Sequence, residues 1–149
     1  MKRITSITGF SLIELLIVIA LLAIISSIGL MGFSTAQKRS RDANRKSDLA
    51  QYRSALESYA NKNNGLYPVY ASATNPYSFC ATLGFGTSCT QDKKEGTSPY
   101  GYRYISDGLK YVLFGGLEAP SPAANIYFGL CSTGLTLAQA SVPTLANCP

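Results

Sequence analysis

Four cysteines (Cys80, Cys89, Cys131 and Cys148) and one carboxylate, Glu14, placed inside a long apolar run are the residues of this chain whose chemistry stands out. None of the 149 residues is a histidine, so the commonest general base, the usual nitrogen ligand for zinc and the Ser/His and Cys/His pairs are all missing. Serines and tyrosines are present without a candidate base, so catalysis is not expected. The cysteines show no CxxC spacing, which argues against zinc and for two disulfides. Four buried free thiols are the plainer alternative. Disulfides persist outside the cytoplasm, so a bridged C-terminal domain is expected to be extracytoplasmic. Three pairings are open; the favoured one joins Cys80 to Cys89 and Cys131 to Cys148, closing two local loops. In the entropic account each such loop stabilises a small domain by about 2–3 kcal/mol.

Glu14 lies in "TGFSLIELLIVIALLAIISSIGLMGF", residues 8–33, and is the sole ionisable side chain between Phe10 and Phe33. At about 1.5 Å per residue the run is long enough to cross the roughly 30 Å core of a bilayer. A carboxylate there costs roughly 2.5–3.5 kcal/mol, while each Leu, Ile, Phe or Val returns about 0.3–0.6, so the segment still inserts. Anchoring tolerates Glu14 but does not explain it. A secretory signal peptide would place its small residue after a shorter apolar core, whereas here Gly9 precedes the run. Cleavage after Gly9 would leave the apolar helix on the mature chain and expose a new amino terminus at Phe10. That amine is a cation near neutral pH and lies about one turn from Glu14. Pairing it with Glu14 of the same or a neighbouring helix would offset the burial of both charges.

The basic leader, the glycine, "FSLIE" and the unbroken apolar run resemble the class III signal of type IV pilins and of the pseudopilins of type II secretion and competence systems. The resemblance implies that a prepilin peptidase cuts between Gly9 and Phe10 and methylates Phe10. It also implies that Glu14 docks subunits into a helical filament, a homo-oligomer. The other partners implied are a platform membrane protein, a cytoplasmic assembly ATPase and the membrane itself before assembly, with no cofactor. The location implied is the inner membrane first and an extracellular pilus afterwards, where the filament serves adhesion, twitching motility or DNA uptake. "NGLYP" and the "SDG" region with its tyrosines resemble pilin heads more loosely. Major type II secretion pseudopilins carry a C-terminal calcium site, and this chain has no Asp or Glu after Glu118, which favours a pilin over a pseudopilin.

The elements follow from periodicity. Leu49, Tyr52, Leu56 and Tyr59 recur at spacings of three and four, so the helix is expected to continue to about Lys62, with Gly65 as its stop. Gly29 and Gly32 interrupt the apolar half and either supply flexibility or permit close packing; many pilins have a proline near here, and this chain has none. "YGYRYISDGLKYVLFGGLE" reads as a hairpin with a two-residue Asp107-Gly108 turn, pairing Tyr104 with Tyr111 and Tyr102 with Leu113 on one aromatic face. "NIYFGLC" reads as a third strand. The fold class expected is α+β, a long helix packed on a small antiparallel sheet. Its divisions are a leader at 1–9, an assembly helix at 10–33, an amphipathic helix at 34–62 and a sheet-bearing region at 63–149.

A net charge of +5 is too modest to mark a nucleic-acid binder. "KRSRDANRK" together with the tyrosines admits a nucleic-acid-binding module as a weaker reading. Lipid headgroups or acids of neighbouring subunits are better partners for these charges. Lys38, Arg39, Arg41, Arg45 and Lys46 outnumber Lys2 and Arg3, so the positive-inside rule opposes an external C-terminus. The cysteines and the leader motif favour it.

Overall fold

A computed structural model describes residues 9–86, 88–120 and 126–149, and within the first helix the side chains at 28–32 are not described. The leader with Lys2 and Arg3, the glycines at 29 and 32, and most of the connection before the third expected strand therefore lie outside the described residues. The chain divides into two compact units, Met1–Gln37 and Lys38–Pro149.

Helix α1 runs from Leu12 to Lys62. In the first unit its described apolar side chains are exposed on every side. Among the described residues no helix is long and apolar enough to cross a membrane; the described apolar part, residues 12–27, measures about 24 Å against a core of roughly 30 Å.

In the second unit one stripe of α1 is buried, with Leu49, Tyr52 and Leu56 inside and Tyr59 half-buried. The helix ends in a left-handed cap whose details differ from the expected glycine stop. Asn64 takes the left-handed conformation, with φ 56°, and the following Gly65 donates its N–H to the carbonyl of Ala60 at 2.8 Å. Asn is the side chain besides Gly that tolerates this geometry, so the stop is shared between the two residues.

Five strands form one antiparallel meander: β1 (Tyr70–Thr74), β2 (Tyr102–Ser106), β3 (Tyr111–Gly116), β4 (Tyr127–Cys131) and β5 (Thr136–Gln139), in that spatial order. Tyr102, Tyr104, Tyr111 and Leu113 share the face that receives Leu49, Tyr52 and Leu56. Buried tyrosines need partners for their hydroxyls. Tyr52 donates to the carbonyl of Thr90, Tyr104 to that of Pro68, and Tyr111 to Glu57. The opposite face buries Val112, Phe114 and Cys131 beneath the C-terminal segment, including Leu145 and Cys148. The sheet is thus covered on both sides, and every residue of β3 is buried.

The hairpin face agrees with expectation, but its register does not. Tyr104 faces Leu113, Ser106 faces Tyr111 and Tyr102 faces Gly115. The connection has four residues, because the Asp107 carboxylate accepts the N–H groups of both Leu109 and Lys110 and holds them out of the ladder. A slip of two residues leaves each side chain on its original face, so the aromatic surface survives the correction. The Tyr104 and Tyr111 rings remain 5.8 Å apart as diagonal neighbours.

Two bridges tie the loops, Cys80 to Cys89 and Cys131 to Cys148, with Cα separations of 6.0 and 5.5 Å. The second fastens the C-terminal segment to β4.

Candidate assembly site and the ion cluster on the helix

Gly9 and Phe10 precede the helix without regular structure and are exposed, Phe10 to 77%. Ser11 stands at the cap position, and its backbone N–H donates to Oε2 of Glu14 at 2.9 Å. This is half of a capping box, in which a carboxylate at the third helical position satisfies an otherwise unpaired amide and opposes the positive end of the helix dipole. Sequence reasoning missed this local role, although Ser-x-x-Glu before an apolar run is its signature. Oε1 of Glu14 has no hydrogen-bond partner among the described residues.

Around Glu14 the helix surface is unbroken hydrocarbon. Leu12, Ile13, Leu15, Leu16, Ile17 and Ile19 are all exposed, as are Leu21, Leu22, Ile24 and Ile25. A helix that is apolar all round is stable only inside lipid or inside a protein assembly. The site therefore consists of one carboxylate, the exposed Gly9–Phe10 segment just before it and a cylinder of aliphatic side chains.

The second unit holds a charged cluster that the sequence did not announce. Arg45 of α1, 3% exposed, meets Asp92 through Nε, Asp42 through Nη1 at 2.8 Å and Glu118 through Nη2 at 2.8 Å. Arg41 binds both oxygens of Glu118, at 2.8 and 2.7 Å, and Lys94 reaches Glu118 at 2.7 Å. Asp42 also accepts the backbone N–H groups of Glu118 and Ala119. The cluster thereby ties α1, the segment after β3 and the loop before β2 into one body. The Tyr100 ring flanks the cluster, its centroid 4.9 Å from the Arg45 guanidinium and 4.8 Å from the Lys94 ammonium.

The hydrogen bond from Arg41, with further ones from Lys94 and Arg45, holds the Glu118 carboxyl far below the usual range despite burial. Burial works against the charge of Asp92, yet the hydrogen bonds from Arg45 and the Lys94 amide lower its pKa. Burial likewise opposes the Arg45 cation, and its hydrogen bonds to Asp92 and Glu118 outweigh that and raise it. Arg41 and Arg45, read from the sequence as charges available to headgroups or neighbouring subunits, are thus committed inside their own unit. The available signal was weak: Asp42 and Arg45 stand three apart on a helix, but nothing local pairs them with Glu118.

Among the described residues no group of three potential metal-ligating side chains is placed to hold an ion.

Residues 5–30 match the family described as the prokaryotic N-terminal methylation motif. The chain is 25% identical over 150 residues to the type IV major pilin protein PilA of Myxococcus xanthus (strain DK1622), an alignment covering 95% of this chain and 68% of that protein. No solved structure matches. With a methylation motif at its start and a helix-on-sheet α+β head behind it, the chain is similar to a type IV major pilin from end to end.

Proposed function

We propose that this chain is a structural subunit of a type IV pilus. In this reading it is cut between Gly9 and Phe10, methylated on Phe10 and held in the inner membrane by residues 10–33. It is then assembled through that helix into an extracellular filament for adhesion, motility or DNA uptake. The observation that carries the reading is the all-round exposure of aliphatic side chains around a single carboxylate in α1. The whole run from 10 to 33 spans about 36 Å as a helix, enough for the bilayer. In the filament the same surface is covered by neighbouring helices instead of lipid.

Glu14 has two duties in this scheme. Oε2 caps its own helix, and Oε1 is available to the Phe10 amine of an incoming subunit, which would set the stagger between helices. The peptidase, the platform protein and the assembly ATPase are the partners such a subunit requires, with the ATPase acting through the platform. No catalysis by this chain is involved.

The test is the intact mass of the protein recovered from sheared surface filaments, before and after reduction. The expected species lacks residues 1–9, carries one added methyl and is short four hydrogens for its two bridges. A processed protein confined to the membrane fraction would instead support a pseudopilin of a secretion or competence system. An unprocessed one would reduce the chain to an anchored head. Glu14→Ala is expected to insert normally and to abolish filaments, scored by electron microscopy of sheared material; wild-type filament yield from this variant would refute the pairing.

A further inference from the structure

The charges of the second unit are unevenly spent. Its carboxylates are all engaged within the chain. Besides the three in the ion cluster, Asp48 accepts the Tyr102 hydroxyl, Glu57 those of Tyr67 and Tyr111, and Glu95 the Arg103 guanidinium. Asp107 accepts the amides of its own loop. Several cations, by contrast, have no acid. Lys38, Arg39, Lys46 and Lys93 are exposed and form no ion pair among the described residues.

These cations gather around one end of the unit. Arg39 and Lys46 line a cleft of about 290 Å³ that runs past Phe128, and Lys93 lines another of about 230 Å³ beside Arg41. Between them lies the ion cluster, whose carboxylates are buried, Glu118 to 2% exposure, while its outer cations, Arg41 and Lys94, remain 32% and 40% exposed. The three acids of the cluster balance Arg41, Arg45 and Lys94, so the positive charge left at the rim is that of Lys38, Arg39, Lys46 and Lys93.

We infer that this rim binds the headgroups of anionic phospholipids, a step that rests on the membrane-anchored reading above. A second copy of the chain supplies few candidates to meet the rim, since Asp107 alone among the acids of residues 38–149 is exposed. Lipid is favoured over a free polyanion by chain connectivity, because Lys38 comes only five residues after Phe33 in the sequence. A bilayer holding residues 10–33 therefore presents its headgroups within reach of Lys38 and Arg39. The rim acts as a basic collar, retaining the subunit at an anionic leaflet until assembly extracts it.

The experiment uses the full chain reconstituted into vesicles of phosphatidylcholine alone or with phosphatidylglycerol, exposed briefly to an amine-acylating reagent and read lysine by lysine by peptide mass. Lys62 is the internal reference, about 36 Å farther along α1 and several screening lengths away. Acylation of Lys38, Lys46 and Lys93 is expected to fall about threefold or more with the anionic lipid, to recover in high salt and to leave Lys62 unchanged. Equal labelling in both vesicles, or equal loss at Lys62, overturns the proposal. Protection by added duplex DNA without protection by the anionic lipid also overturns it and assigns the rim to nucleic acid. Flotation of the vesicles reports the anchor separately. A chain that floats but shows no selective protection refutes the collar alone, and one that does not float refutes the anchor and the collar with it.

Discussion

Glu118 is the residue on which the head's charge pattern turns. It is the last acid in the sequence, it sits 77 residues from Arg41, and three cations converge on it. Replacing it by Gln keeps the volume but leaves those cations facing a neutral amide in a largely buried site. Breaking a buried ion pair from one side costs about 3–5 kcal/mol. Glu118→Gln is therefore expected to lower the unfolding free energy of the detergent-solubilised chain by an amount in that range, read as a lower urea midpoint; an unchanged midpoint would show that the cluster is solvated. Glu14 differs in kind. Its one described bond is to an exposed local amide, so its removal should cost the head no stability and be felt only in assembly.

The elements show where sequence reasoning holds and where it slips. The 49/52/56/59 stripe and the aromatic hairpin face are legible because periods of 3.6 and 2 are local properties of the chain. The hairpin register was set by the Asp107 carboxylate competing for two loop amides, an interaction that residue type permits but does not require. Strands β1 and β5 were missed. "YASAT" has one large side chain and "TLAQ" one leucine, and each is an edge strand whose pairing partner, not its own pattern, makes it a strand. β3 holds a further constraint in Gly116. A Cβ there would collide with the backbone carbonyl of Pro99, which cannot swing away as a side chain could. Gly116→Ala is expected to destabilise the head by about 1–3 kcal/mol, the usual range for overpacking. Thermal unfolding by circular dichroism checks this, and a wild-type Tm would mean that the 99–101 segment yields freely.

For the molecule as a whole, the charged cluster predicts how stability depends on pH. Glu118 and Asp92 have folded pKa values below their unfolded ones. Their stabilisation is thus complete above the unfolded carboxylate range and drains away as pH falls through it toward the lower folded values. Each carboxylate adds a slope of up to about 1.4 kcal/mol per pH unit in that window. The Tm of the detergent-solubilised chain should be level between about pH 6 and 8 and fall steadily below about pH 4.5, with a shallower fall in Glu118→Gln. A Tm that is flat down to about pH 2.5 would contradict the assignment of the cluster as a stabilising device.

The sequence by itself marked the N-terminal site proposed for assembly. Gly9, Phe10, Glu14 and the apolar run are contiguous, and the physics of insertion and charge that singles them out needs no long-range partner, although the equally local Ser11–Glu14 cap emerged only from the structure. The sequence also pointed to two local bridges, which the structure forms between Cys80 and Cys89 and between Cys131 and Cys148. Tertiary structure alone decided the fate of the basic segment. As a string, residues 38–46 read as free positive charge, and only folding reveals that Arg41 and Arg45 are neutralised while Lys38, Arg39 and Lys46 are not. The reason is distance: Glu118 and Asp92 come from segments some 47 to 77 residues away, and a pairing that depends on where a sheet ends cannot be read from the spacing of the residues it joins.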